Sequence, residues 1–265
     1  MKSVGSFYRS SIGRKFLMAV TGLVLIGFVI GHLVGNLQIF SAPDKINGYA
    51  EFLHSTGATL WTVRILLIVC TIVHVWAAIS LTRDNQRARG GPRYTVKHTI
   101  RATLASRTMR LTGFVVLAFV VYHLLHFTIG GVDANFKENL PRYVLESDYH
   151  ILGVKVVDAN TPVLDVHTMM VKGFQNPIVS IFYVIAVGLL SYHIVHGLDS
   201  MFQTLGLRNT SWSSGLRKFS VLFATLYFLG NAAIPVSILA GAVKQHPPSA
   251  AQAVTATLHT NSVAR

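Results

Sequence analysis

Five stretches of nearly unbroken apolar character alternate along the chain with short polar and basic segments. They run near residues 15–40, 60–81, 111–130, 177–201 and 219–242. Each is long enough to cross about 30 Å of hydrocarbon, which takes roughly 20 residues of helix. None breaks into the ten-residue alternating pieces that barrel strands require. The pattern predicts an all-α membrane protein, a five-transmembrane-helix bundle occupying residues 1–242. A poorly ordered outer tail, rich in Ala, Thr, Ser and Pro, is expected over 243–265.

Two amphipathic stretches lie between the spans. INGYAEFLHS places Ile46, Tyr49, Phe52 and Leu53 at helical spacing and predicts a surface helix. The long loop 131–176 carries six of the ten acidic residues. Its apolar residues Val163, Leu164, Val166, Met169, Met170 and Phe174 suit a short helix, lying on the membrane interface or packed on the bundle.

Composition agrees with the pattern. Of the 265 residues, 51% are hydrophobic and only 12% charged, against about a quarter charged in soluble domains. The single cysteine, Cys70, excludes an internal disulfide and a thiolate-ligated iron–sulfur cluster within this chain. An excess of 23 basic over 10 acidic residues would point to nucleic acid in a soluble protein. Here the charges fall between spans, so they report orientation and no nucleic-acid partner is expected. Fifteen Lys/Arg belong to the N-terminal tail, the Arg83–Arg110 loop and the loop near Arg208, and seven to the opposite side. The N-terminus is therefore expected in the cytoplasm of a multi-pass protein of the cell's inner membrane. MKSVGSFYRSSIGRK leads into a full-length span without a small-residue cleavage site, which predicts a retained first helix.

The candidate chemistry is histidine. GLLSYHIVHG holds His193 and His196, YHLLH holds His123 and His126, and His32 and His74 sit singly in the first and second spans. Imidazole inside lipid is costly without a partner, so each is a functional candidate. Four spans bearing imidazoles point to two haems, each gripped by histidines from two helices. Depth follows from the flanking charges at about 1.5 Å per residue. His32 lies eighteen residues past Arg14, and His123 and His126 lie thirteen and sixteen past Arg110. His74 lies nine before Arg83, and His193 and His196 lie fifteen and twelve before Arg208. The first and third spans thus supply an outer pair, the second and fourth an inner one. Depth alone favours His126 and His196 within their turns. The remaining histidine of each turn is left for a haem propionate, a quinone oxygen or a backbone carbonyl. Gly27, Gly31 and Gly35 form a small-residue stripe beside His32, suited to a flat macrocycle or to a helix-packing seam.

GHLVGN, IVHVWAAISL, NQRARGGPRY, VVYHLLHFT, GFQNPIVSIFYV and SYHIVHGLDSMFQTLG, in that order, resemble the single-chain dihaem cytochrome b anchor of succinate dehydrogenases and fumarate reductases. The resemblance runs from Ser11 to about Gly241. It implies four axial ligands, His32, His74, His123 and His193, binding the iron of two b haems, and so prefers the first histidine of each HxxH turn. It also implies an iron–sulfur subunit and a flavoprotein subunit as partners, and a membrane quinone, menaquinone or ubiquinone, as electron acceptor. In that reading the chain is the non-flavin membrane subunit of a succinate:quinone oxidoreductase and carries no catalytic side chain of its own. The basic residues Arg9, Arg14, Arg83, Arg87, Arg89, Arg93, Arg101, Arg107 and Arg110 suit docking of the iron–sulfur subunit, or simply positive-inside topology.

Two quinone sites are conceivable from the polar residues. An inner one uses Asp199 with Ser11 or Arg14, and an outer one uses Glu51, His54 and Arg64. Two other readings compete: the dihaem subunit of a formate dehydrogenase or hydrogenase, and a transporter whose histidines bind a metal ion. A pair of imidazoles alone makes a poor four-coordinate zinc site.

Overall fold

The computed structural model describes residues 7–8, 10–88, 104–131 and 142–246. Arg9, Arg89, Arg93 and Arg101 of the basic face lie outside the described residues, as does the tail beyond residue 246. Five helices are long and apolar enough to cross a membrane. They are α1 (Ser11–Asn36, extended by a 3₁₀ turn Leu37–Phe40), α3 (Ala58–Ala88), α4 (Leu104–His123), α6 (Pro177–Thr204) and α7 (Ser213–Leu239). Two shorter helices are α2 (Pro43–Ser55) and α5 (Val166–Gln175).

Local chemistry sets these boundaries. Pro43 and Pro177 open α2 and α6, where the missing N–H costs nothing. α4 runs on as a π turn, Leu124–Ile129, that contains His126 and ends at Gly130 with φ +76°. Such wide turns are rare and shift the facing of the side chains around them. Pro235 lies within α7, tolerable where neighbouring structure re-satisfies the freed carbonyl.

The chain divides into two compact units. The first comprises residues 1–31, 61–115 and 188–228, the second residues 32–60, 116–187 and 229–265. Helices packed at the usual 8–10 Å between axes bring facing Cα atoms well inside 8 Å. In neither unit do the spanning helices approach that closely except at isolated points.

The second unit also carries a small cap that the hydrophobic pattern did not foretell. Residues 142–164 form two antiparallel pairs, β1 (Arg142–Val144) with β4 (Pro162–Leu164) and β2 (Tyr149–Ile151) with β3 (Val154–Val157). The second hairpin turns on Leu152 and Gly153, both at positive φ, as a tight two-residue turn demands. Tyr143, Leu145, Tyr149, Val157 and Val163 form its core, with Tyr49 and Phe52 of α2 packed against it. Both expected surface helices exist, but the second begins at Val166, and Val163 and Leu164, expected within it, lie in β4 instead. α5 buries seven of its ten residues, so it packs on protein. Its N-cap Asp165 accepts from the Thr168 N–H and from the Asn47 amide.

One carboxylate ties cap to helix. Asp44 of α2 accepts the hydroxyls of Tyr143 and Ser147 and the backbone N–H groups of Glu146 and Ser147, at 2.7–3.1 Å. Burial opposes its charge, but these four donors outweigh burial and hold its pKa below the ordinary carboxylate value. The first residues after 242 are also held. His246 Nε2 lies 3.0 Å from Asp165 Oδ2, and its ring meets Tyr143 edge-on.

Candidate functional site

In the first unit, α3 supplies His74 and α6 supplies His193. Each is held from behind by a different helix. His74 Nδ1 meets Thr21 Oγ1 of α1 at 3.2 Å, and His193 Nδ1 meets Thr112 Oγ1 of α4 at 3.3 Å. A glycine follows each threonine. A Cβ built on Gly22 would stand 3.3 Å from His74 Cε1, and one on Gly113 would stand 3.3 Å from His193 Cε1. Each ring therefore rests almost on the neighbouring backbone, where only a missing side chain leaves room.

In the second unit, α1 supplies His32 and α4 supplies His123. Their ring centroids are 5.6 Å apart and their planes nearly perpendicular, at 81°. The Tyr183 hydroxyl of α6 lies 3.4 Å from His123 Nδ1 and 3.0 Å from His126 Nδ1. Phe119, Tyr122, Phe127, Phe174 and Phe182 surround that tyrosine at 5.0–6.0 Å between centroids. His32 differs from the others: its Nε2 is engaged by the Asn36 amide nitrogen at 3.1 Å, one turn along its own helix.

A ring contact joins the histidines of the first and third spans, and the first unit holds those of the second and fourth. In the YHLLH turn it is the first histidine, His123, whose ring meets His32. His126 is buried against Tyr183, while His196 Nε2 pairs with Ser200 Oγ at 3.2 Å on its own helix. Depth counted in residues cannot separate neighbours on one turn, because the direction each side chain takes decides which one reaches across.

The residues fit a haem. The His32 and His123 rings, 5.6 Å apart between centroids and from different helices, are close enough that both would hold one metal centre. Among the described residues no three His, Cys, Asp or Glu gather into a metal-binding group. Two nitrogen donors per site match a metal whose other ligands come from a macrocycle. His74, His123 and His193 each have Nδ1 in a hydrogen bond, leaving Nε2 for iron. His32 would have to release the Asn36 amide to hold a metal through the same nitrogen. Of the glycine stripe, Gly27 and Gly31 have nothing within 4 Å of a built Cβ, whereas Gly35 lies against Tyr49. Only Gly35 serves as a close-packing seam.

The polar residues rearrange relative to expectation. α3 continues to Ala88, which brings Asp84 onto the helix. Arg14 bonds Ser80 and Asp84, and with Trp76, Ile79, Arg83 and Arg87 they line a pocket of about 270 Å³. Asp199 instead pairs with Arg208 at 3.1 Å and Arg217 at 3.8 Å, and Ser11 is exposed. The expected grouping of Asp199 with Ser11 or Arg14 does not form. Glu51 is half-buried and His54 exposed in the second unit. Arg64 belongs to the first unit and lies over the Trp61 ring, 5.1 Å from its centroid.

Thr21, Gly22, Thr112, Gly113, Asn36 and Tyr183 join the site without being among the residues expected there. A signal for four of them exists. TGLVLIGFVIGHL and TGFVVLAFVVYHL share Thr, Gly, Val, Phe, Val, His and Leu in register, with each Thr-Gly eleven and ten residues before its histidine. No family model, curated protein or solved structure matches the chain.

Proposed function

We propose that this chain is the membrane cytochrome b subunit of a succinate:quinone oxidoreductase or fumarate reductase, holding two b haems. One observation carries the reading: two imidazole pairs, each drawn from two different spanning helices, occupy separate units. His74 and His193 hold the haem of the first unit, His32 and His123 that of the second. The haems supply one-electron chemistry at potentials set by their ligands and surroundings. The chain's own residues bind and orient. Thr21, Thr112 and Tyr183 fix imidazole rotation, and the apolar helices exclude water.

On this reading the N-terminus and the arginine-rich helix ends face the cytoplasm of the inner cell membrane. There they receive an iron–sulfur subunit that relays electrons from a flavoprotein. The Arg14–Ser80–Asp84 pocket is the better inner candidate for a quinone head group, since its guanidinium and hydroxyl can donate to a quinone carbonyl oxygen and its carboxylate can accept from a quinol hydroxyl. At about 270 Å³ it is just below the usual size range of small-molecule sites.

The test is the visible spectrum of the purified membrane protein before and after dithionite. Two b-type haems per chain are expected. A colourless protein made with ample haem supply would overturn the reading. Co-purifying flavin with succinate-oxidising activity separates it from a formate dehydrogenase or hydrogenase subunit.

A further inference from the structure

We infer that Thr21 and Thr112 are positioning residues that lock His74 and His193 in the tautomer with hydrogen on Nδ1, leaving Nε2 as the metal-facing lone pair. The inference deepens the proposed function and rests on it for the identity of the metal group, but the tautomer itself stands on this chain's geometry.

A threonine hydroxyl has one proton to donate and lone pairs to accept. Thr21 Oγ1 lies 2.7 Å from the Leu17 carbonyl oxygen and 3.3 Å from that of Met18, both on its own helix. Thr112 Oγ1 lies 3.1 Å from the Met109 carbonyl oxygen. Donation to these carbonyls is what a helical threonine ordinarily does. With the proton so placed, each oxygen is left to accept, and the group before it is an imidazole Nδ1. Nδ1 must then carry the hydrogen.

Gly22 and Gly113 complete the device. Each sits next to the threonine and lets the ring come close enough for the bond. The arrangement occurs twice, on α1 and α4, at the same offset from the histidine that each helix gives to the second unit. Each of these helices therefore donates one imidazole and steadies another. Partners behind a metal-bound histidine fix its rotation and raise its donor strength.

Two measurements test this. The first needs no haem: nitrogen-15 NMR of the full-length chain in detergent, labelled at histidine, with signals assigned by His74→Gln and His193→Gln. Hydrogen on Nδ1 is expected at both positions, and hydrogen on Nε2 in the wild-type chain would overturn the inference. The second uses the haem-loaded protein. Thr21→Val and Thr112→Val keep shape but lose the acceptor. They should raise the midpoint potential of the haem held by His74 and His193 and weaken its retention about 10- to 100-fold, with Thr→Ser restoring both. Unchanged potential and retention in the valine variants would sink the inference while leaving the haem reading intact. A wild-type chain without haem, but with hydrogen on Nδ1 at both positions, would sink the haem reading and leave the tautomer lock standing.

Discussion

The imidazoles of His32 and His123 meet edge to face across two helices, 5.6 Å between centroids. No residue of the first unit's pair takes part in this contact. Replacing His32 or His123 by Ala should therefore lower haem content from two per chain to one, and the same change at His74 or His193 should remove the other. The haem-to-protein ratio of each variant checks this. Loss of both haems from any single substitution would contradict independent sites.

His126 and His196 have partners other than the opposing histidine, Tyr183 and Ser200 respectively. His126→Gln and His196→Gln should keep two haems. Tyr183→Phe removes the hydroxyl shared by His123 and His126 and should shift the spectrum of the second-unit haem alone. A reduced-minus-oxidised spectrum of each variant distinguishes these outcomes.

Asp44 gives the cap its pH dependence. Its pKa is depressed in the folded chain by the four donors, so its contribution is complete above the unfolded value of about 3.9 and is lost as pH falls through the lower folded value. Hydrogen exchange of residues 142–164 should rise as pH falls below about 4, and Asp44→Asn should flatten that rise. Tyr143→Phe removes one hydrogen bond to a charged group and should cost the cap about 1.5–3 kcal/mol.

Gly48 tests how tightly cap and helix fit. A Cβ there would stand 2.7 Å from Tyr149 Cβ and Cγ, atoms too close to the backbone to swing away. Gly48→Ala should destabilise the cap by about 1–3 kcal/mol through overpacking. Gly215→Ala in α7 meets nothing within 4 Å and should be neutral or slightly stabilising. Thermal unfolding of the two variants in one detergent provides the comparison.

The spans were legible because lipid demands long apolar runs with every backbone group satisfied internally, and few sequences meet that demand by chance. Histidine stood out for the same reason. The hairpins of residues 142–164 did not, since strands of three or four residues leave little periodicity, and Leu152-Gly153 lacks the Asn-Gly signature of such turns. Asp84 was placed beyond its span because Thr82 and Arg83 end the apolar run at Leu81, yet the helix continues past them to Ala88. The threonines escaped notice because a hydroxyl in a transmembrane helix usually bonds its own backbone. Only the neighbouring helix shows that each also faces an imidazole.

The sparse backbone contact between spanning helices has a consequence for how the chain holds together. Spanning helices whose backbones approach closely at few points draw limited cohesion from one another, because lipid chains solvate their apolar faces about as well as a neighbouring helix would. A guest wedged among them supplies the missing adhesion, and by mass action its grip adds directly to the free energy of the assembled state. For the proposed cytochrome, biogenesis and cofactor supply thus become a single problem. Cells short of porphyrin should accumulate a chain that is inserted yet easily degraded.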